Sequence, residues 1–225
     1  PEHRQFIADF WKIPEPELPK QGLTACEIID AIERGEIKGL LSISFNPLVS
    51  IPDSNRTRAA LEKLEFFACI DPFLSETARH ADVVLAGSLQ EEDEGTVTTG
   101  EGRCVRLRNS VSPPGNARVD WQIICDLAKR LGKEQWFSYG NAGEIFTELT
   151  AASKGGPIDY SGMTYERIEQ NMGLFWPCPA PEHPGTPRLF EGGKFHHPDG
   201  KAKFHAYDYR PPAEDVDAEF PIFFT

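Results

Sequence analysis

The sequence lacks the short motifs that mark several large classes of protein. Its five cysteines form no C-x-x-C pair, so neither a zinc site nor an iron–sulfur cluster can be built from closely spaced cysteines. It contains neither G-x-G-x-x-G nor G-x-x-x-x-G-K-[ST], the glycine-rich patterns that bind phosphates in common nucleotide-binding folds. No apolar run approaches the roughly 18 residues that a membrane-spanning helix needs. We therefore expect no membrane span and no metal ligands within this chain.

Positive charge is also scarce. The 225 residues contain 23 Lys and Arg against 35 Asp and Glu, which gives a formal net charge of −12 at pH 7. Because nucleic-acid binding depends on Lys and Arg that neutralise phosphates, we expect no nucleic-acid partner. The first residues do not combine a basic segment with an apolar one, so no secretory signal is predicted. Cys69 and Cys125 lie within apolar patterns, which indicates buried thiols of a reducing compartment, and we expect a cytoplasmic protein.

The stretch from Gly39 to Pro47, GLLSISFNP, is the centre of the predicted fold. It is a short apolar run that ends at an Asn-Pro pair, which predicts a buried strand of a parallel sheet. Further strands are predicted over residues 66–70 and 81–86. One helix is predicted to begin at Thr24, which has Glu27 three residues later at the spacing of a capping box, and a second helix to begin at Arg56. Because strands that alternate with helices are typical of βαβ units, the predicted fold class is α/β with a parallel sheet.

The rest of the chain is predicted to be more irregular. Residues 90–102 are polar, acidic and glycine-rich, which predicts a long loop, and residues 103–107 are predicted as an edge strand. An amphipathic helix is predicted over residues 119–131, with Leu131 on its buried side. Earlier in the chain, a short helix is predicted from Pro1 to Trp11.

Beyond these elements the sequence predicts a mixed, loop-rich extension. Short helices are predicted over residues 144–152 and 164–172. Residues 175–187 are dense in proline and are predicted to lie irregularly on the surface. Residues 190–209 are predicted as a β-hairpin, and the final residues, 220–225, as the beginning of a strand.

Three polar residues are predicted to lie near one edge of the parallel sheet. Asn46 and Asp71 follow strands, and Asp120 begins a helix. Each one alone is explained as a turn residue or as a helix N-terminal carboxylate. Ligands of parallel sheets bind at the carboxyl ends of the strands, however, and a carboxylate accepts two parallel hydrogen bonds from a guanine or guanidinium edge. Together the three residues therefore form a candidate nucleotide site.

Several pieces of the sequence, in a fixed order, resemble the catalytic subunits of the molybdopterin oxidoreductases. The pieces are GLTACEIIDAIERGEIKGLLSISFNPLVSIPDSNRTRAALEKL, FFACIDPFLSETARHADVVLA, EEDEGTVTTGEGR and PPGNARVDWQIICDLAKRLG, and later WPCPAPEHPGTPRLF, HPDGKAKF and AEFPIFFT. The resemblance implies a fragment of an oxidoreductase that binds molybdenum through two molybdopterin guanine dinucleotides. Within the family, PEHRQFIADFW, GLTACEIIDAIERGEIKG and EGTVTTGEGR are most similar to assimilatory nitrate reductases, and formate dehydrogenase catalytic subunits are the alternative.

The resemblance implies cofactor contacts only where residues match the family pattern. Asn46 corresponds to the Asn at the end of the family's first strand, Ile70 and Asp71 to the pair that closes the next strand, and Asp120 to the helix-opening Asp that receives the guanine edge. Asp93 stands where many relatives carry a cation, so we expect it to make no contact with the cofactor's phosphates. The parent enzyme is expected to hold a [4Fe-4S] cluster, but neither its ligands nor the molybdenum ligand is in this chain. No catalytic residue is therefore assigned, and the fragment alone is expected to be inactive.

The resemblance also implies a domain organisation. Residues 1–22 are expected to form an N-terminal helix and connection, and residues 23–135 part of a Rossmann-like domain that binds molybdopterin guanine dinucleotide. Residues 136–217 are expected to form a helical and β-hairpin extension, and residues 218–225 to begin a C-terminal barrel domain. The expected partners are the remaining domains of the parent subunit and an electron donor or acceptor protein. The alternative is a non-catalytic module whose acidic segments, 90–102 and 214–219, dock a protein.

Overall fold

The structure is a computed structural model that describes residues 2–212 and 215–223. The contacts between residues divide it into two compact units, Pro1–Pro187 and Arg188–Thr225. The helices and strands, in chain order, are α1 Glu2–Trp11, α2 Ala25–Glu33, β1 Gly39–Ile43, α3 Pro47–Ser50, α4 Ser54–Leu61, β2 Phe66–Asp71, β3 Val83–Ala86, β4 Gly95–Thr98, β5 Arg103–Leu107, α5 Asp120–Arg130, α6 Ala142–Ala152, α7 Tyr165–Gln170 and β6 Leu174–Phe175. In the part of the chain that the structure describes, no helix is long and apolar enough to cross a membrane.

A three-stranded parallel sheet organises the first half of the chain. Its strand order is β1-β2-β3, and both neighbouring pairs are parallel. The register places Leu41 beside Ala68 and Ile43 beside Ile70. The predicted α/β fold class with a parallel sheet is therefore confirmed, and the predicted strands lie within about two residues of the observed ones.

Helices α2 and α4 cover one face of this sheet. The start of α2 is held by the predicted capping box, in which Glu27 N donates to Thr24 Oγ1 over 3.4 Å and Thr24 N donates to Glu27 Oε2 over 2.7 Å. Helix α4 turns Thr57, Ala60 and Leu61 to the core, while Ala59 is exposed. The buried side chains of this core are Ile29, Ile32, Leu48, Ala60, Leu61, Phe67, Cys69 and Ala78.

A second sheet corrects two predictions. It is antiparallel with the order β4-β5-β6, so the segment predicted as a 90–102 loop contains a strand, and the predicted edge strand β5 lies in the middle. The strand β4 has the sequence GTVT, whose β-branched residues favour extended structure although the surrounding residues are acidic and glycine-rich. The neighbouring strand β5 supplies its hydrogen bonds, and local sequence does not reveal that neighbour.

The proline-dense segment 175–187 is packed more closely than predicted. Cys178 is fully buried in a second core with Cys104, Phe146, Met163, Ile168 and Leu174. The guanidinium of Arg167 holds the segment, since its Nη2 donates to the carbonyl of His183 over 2.8 Å. The prediction of an irregular surface segment is therefore wrong at its beginning, where β6 pairs with β5.

The predicted β-hairpin over residues 190–209 is wrong. A turn is present, with Phe195 N donating to the carbonyl of Gly200 over 2.9 Å, but the flanking residues form no strand. Phe204 and Tyr207 are 95% and 87% exposed, so no apolar face is buried to stabilise an isolated hairpin. The predicted final strand is not formed over residues 220–223, and residues 224–225 lie outside the described ranges.

Helix α5 confirms the predicted amphipathic helix with one correction. It spans Asp120–Arg130 and buries Ile123 and Ala128. Leu131 was expected on the buried side but is 74% exposed, because it follows the end of the helix, where the chain turns at Gly132.

Candidate functional site

The carboxyl ends of the parallel strands meet at one edge of the sheet. After β1, the backbone N–H of Ser44 donates to the carbonyl of Ile70 over 2.8 Å. After β3, the N–H of Gly87 donates to the carbonyl of Asp71 over 3.3 Å. The segments that follow β1 and β3 are thus fixed on either side of the end of β2, where ligands of parallel sheets bind.

Asp120 joins these segments from the first residue of α5. Its Oδ2 accepts a hydrogen bond from Ser44 Oγ over 2.8 Å, and its Oδ1 accepts one from Ser88 N over 3.1 Å. The N-terminus of an eleven-residue helix favours a carboxylate at this position. Each carboxylate oxygen has a second lone pair, so Asp120 is held in place and can still accept hydrogen bonds from a ligand.

The absence of a side chain at Gly87 lets the Asp120 carboxylate lie close to the edge of the sheet. A Cβ on residue 87 would lie 2.5 Å from Asp120 Oδ1 and 2.9 Å from Ile70 Cγ2, distances that real side chains do not tolerate. Sequence reasoning did not assign Ser44, Gly87 or Ser88 to the site. The available signal was their position, since they directly follow two predicted strands whose carboxyl ends share one edge.

The side-chain amide of Asn46 forms hydrogen bonds with residues of the segment that follows β2. Its Oδ1 accepts from Thr77 Oγ1 over 2.5 Å, and its Nδ2 donates to Glu76 Oε2 over 3.1 Å. Thr77 is completely buried and also accepts from the N–H of Leu48 over 3.1 Å. The Asn46 amide therefore anchors the start of α3 to the segment that follows β2.

Ile70 and Asp71 are placed differently from each other. The side chain of Ile70 is completely buried, so only its carbonyl, bonded to Ser44, faces the site. Asp71 Oδ1 accepts from Phe73 N over 2.9 Å and Oδ2 from Ser75 Oγ over 2.8 Å, which is the pattern of an Asx turn. Among the described residues, the side chains of Asn46 and Asp71 form no hydrogen bond with Asp120.

A polar cavity of about 200 Å³ opens beside Asp120. The polar residues that line it are Ser88, Gln90, Asp93, Glu94, Thr96 and Asp120. Burial and the nearby charge of Asp120 raise the pKa of Asp93, although a hydrogen bond from the backbone N–H of Glu94 opposes this increase. Since its lining residues include three carboxylates and no Lys or Arg, the cavity suits a group that donates hydrogen bonds.

Comparison with known proteins identifies the class to which this chain belongs. The Molybdopterin oxidoreductase family model matches residues 15–130, just over half of the 225 residues. The chain belongs to the molybdopterin oxidoreductase family, an enzyme family whose membership implies a molybdenum–pterin cofactor. The resemblance predicted from the sequence is confirmed.

Individual relatives are similar to nearly the whole of this chain. It is 49% identical over 227 residues to the assimilatory nitrate reductase catalytic subunit of Bacillus subtilis, a match that covers 100% of this chain and 32% of that protein. A nitrate reductase of Symbiobacterium thermophilum is 36% identical over 237 residues, covering 100% of this chain and 31% of that protein. A formate dehydrogenase alpha subunit of Methanococcus maripaludis is 38% identical over 205 residues, covering 91% and 29% respectively. The chain thus spans about a third of the length of the curated relatives it matches.

A solved structure supports the fold. Acetylene hydratase from Pelobacter acetylenicus matches with a TM-score of 0.52 and 21% identity, over 64% of this chain and 19% of that one. At this level of identity the similarity bears on the fold alone.

Proposed function

We propose that this chain is the part of a nitrate reductase catalytic subunit that holds the guanosine end of one molybdopterin guanine dinucleotide. The observation that carries the proposal is the position of Asp120, whose carboxylate lies at the carboxyl edge of a parallel sheet and lines a polar cavity of about 200 Å³. As in the sequence-based expectation, Asn46, Ile70 and Asp71 complete this edge.

The cavity suits guanine because the carboxylates that line it accept hydrogen bonds and guanine donates them. Guanine presents N1–H and N2–H₂ side by side, and a carboxylate accepts two such parallel hydrogen bonds. Adenine presents an acceptor at N1, which would face the Asp120 carboxylate without a proton between them. The cavity lining has no Lys or Arg, so phosphate binding is assigned to other parts of the enzyme, in agreement with the expectation for Asp93.

The residues of this chain bind and orient the cofactor. Gly87 leaves the space in which the Asp120 carboxylate sits, and Ser44 and Ser88 fix the two oxygens of that carboxylate. When bound, the cofactor supplies the metal that carries out the redox chemistry. The [4Fe-4S] cluster, the molybdenum ligand and the contacts with an electron-transfer protein are assigned to the remaining domains.

Nitrate is the proposed substrate because of the degree of similarity. The nitrate reductase of Bacillus subtilis is 49% identical to this chain over the whole length of this chain, against 38% for the formate dehydrogenase subunit. The longer polypeptide, which joins this chain to the remaining domains of the enzyme, is used to check this assignment. It is assayed with a reduced or an oxidised viologen dye. We expect nitrate-dependent oxidation of the dye. Formate-dependent reduction without nitrate activity would favour the alternative.

Calorimetric titration with GDP tests the guanosine site, with ADP as the competing nucleotide. The experiment uses the longer polypeptide purified without its cofactor. We expect GDP to bind more tightly than ADP, and Asp120→Asn to weaken GDP binding by roughly 1.5–3 kcal/mol, or about 10- to 150-fold. Asp126→Asn, the same change on the exposed side of α5, is the matched control and should leave binding unchanged.

Two outcomes of this titration would contradict the proposal. Equal affinity for GDP and ADP would favour the alternative of an acidic protein-docking module, which has no reason to distinguish the two bases. A preference for GDP that survives Asp120→Asn would place guanine elsewhere on the enzyme.

A further inference from the structure

The antiparallel strands β4 and β5 form one wall of the polar cavity beside Asp120. The register places Gly95 of β4 directly opposite Leu107 of β5, and both residues line the cavity. Residues that lie opposite each other on antiparallel strands share one face of the sheet. Because Gly95 has no side chain, this part of the wall is a flat surface formed by the Gly95 backbone and the Leu107 side chain.

The packing of the chain does not require a glycine at residue 95. A Cβ on residue 95 would meet no atom of the described chain within 4 Å, and Gly95 is not among the glycines with a positive φ. Glycine weakens a strand, because it loses much conformational freedom on folding and has no side chain to pack. Within a strand it often marks a place where a ligand approaches the backbone closely. The cavity that Gly95 lines is the space from which a ligand would approach.

A contact on the other face of the sheet fixes the position of Gly95. Arg106 Nη1 donates to the carbonyl of Gly95 over 2.9 Å. The guanidinium of Arg106 lies 3.4 Å from the centre of the Tyr165 ring, which packs against the second core, and only 12% of the Arg106 side chain is exposed. The flat surface is therefore held in place before any ligand binds.

A further apolar side chain lines the same cavity from the segment that follows β3. Leu89 is 37% exposed and comes directly after Ser88, whose N–H donates to Asp120 Oδ1. Pockets that bind bases combine a few polar groups, which contact the edge of the ring, with apolar surfaces, which pack against its faces. Asp120 supplies the first of these and Leu89, Gly95 and Leu107 supply the second.

We propose that the base held at its edge by Asp120 lies with one face against Gly95 and Leu107, and that residue 95 is glycine because a side chain would occupy the place of the base. This inference rests on the proposed function, since Asp120 is the group that positions the base. Asp120 then selects the hydrogen-bonding edge, whereas Gly95 and Leu107 select a flat ring.

Calorimetric titration with GDP tests the proposal, using the longer polypeptide purified without its cofactor. We expect Gly95→Val to weaken GDP binding at least about 10-fold, because the new side chain fills the space of the base, and Gly95→Ala to weaken it less. Urea unfolding of the same variants should show unchanged or increased stability, since valine and alanine restrict the unfolded chain and valine favours a strand. Gly100→Ala, where a Cβ also meets no atom within 4 Å but which does not line the cavity, is the matched control.

The outcomes separate this inference from the proposed function. GDP binding that is unaltered in Gly95→Val but lost in Asp120→Asn would overturn the inference and leave the proposed function standing. Failure of the unaltered polypeptide to bind GDP would contradict both. A Gly95→Val variant that is less stable than the unaltered polypeptide would contradict the open space beside Gly95 and would also overturn the inference.

A second pair of variants tests the apolar part of the surface without adding bulk. Leu107→Asn keeps the approximate size of the side chain and makes it polar, and Leu149→Asn makes the same change on an exposed residue outside the cavity. We expect GDP binding to weaken about 10-fold in Leu107→Asn and to stay unchanged in Leu149→Asn. Equal affinity of the two variants for GDP would overturn the proposal.

Discussion

Gly87 and Asp120 approach so closely that a single methyl group on residue 87 would lie 2.5 Å from the Asp120 carboxylate. The two residues belong to different segments of the chain, and the hydrogen bond from Ser88 N to Asp120 Oδ1 ties the start of α5 to the segment that follows β3. Because little space is left beside Gly87, we expect the geometry of the candidate site to be sensitive to substitution there.

We predict that Gly87→Ala destabilises the protein by about 1–3 kcal/mol, because the added methyl group must displace Asp120 or the buried side chain of Ile70. Urea unfolding measures the change. Gly100→Ala is the matched control, since a Cβ on Gly100 would meet no atom within 4 Å. Gly87→Ala should also weaken GDP binding by the longer polypeptide. Unaltered stability of Gly87→Ala would show that α5 can move away at little cost.

We predict that Asp93→Asn stabilises the protein at neutral pH by about 0.5–1 kcal/mol. Burial and the Asp120 charge raise the pKa of Asp93, so its ionised form is less favourable in the folded than in the unfolded state. A raised folded pKa means that stability is gained at low pH and lost as the pH rises through that pKa. The advantage of the variant should therefore be largest at pH 7 and vanish towards about pH 4. Urea unfolding at both pH values measures it, and a less stable variant at pH 7 contradicts the prediction.

We predict that Asn46→Ala destabilises the protein by about 1–3 kcal/mol, because the buried hydroxyl of Thr77 loses the acceptor for its hydrogen bond. Thermal and urea unfolding measure the loss. Asn109→Ala removes an exposed amide from a loop and serves as the control. If both variants unfold alike, the Asn46 amide does not anchor α3, and a direct contact with cofactor becomes its better explanation.

We predict a large difference in reactivity between two cysteines. Cys26 is exposed, whereas Cys69 is 1% exposed, and burial together with the charge of Asp71 raises the pKa of Cys69 to about 11. Because the thiolate is the reactive form, iodoacetamide should label Cys26 at least about 100-fold faster than Cys69 at pH 8. Peptide mass spectrometry measures both rates. Comparable labelling of the folded chain would contradict the buried position of β2.

The sequence by itself determined those features whose signal lies within a few residues. The apolar runs of β1 and β2, the capping box of Thr24 and Glu27, and the helix that begins at Asp120 were all predicted from local patterns and are present. The family resemblance was also carried by local strings, and the family model confirms it. Local propensity and binary pattern are sufficient here because a few neighbouring residues carry the apolar run of each strand and the start of each helix.

Only the tertiary structure decided which residues meet. Ser44 and Asp120 are 76 residues apart, and Ser88 and Asp120 are 32 apart, so no local pattern reveals that one carboxylate joins both segments. For the same reason β4 was not predicted within its polar stretch. The residues around Pro198 form a turn, but the strands predicted on either side of it are absent. A strand exists only where another strand accepts its hydrogen bonds and a core covers its apolar side, and both conditions are properties of the folded chain.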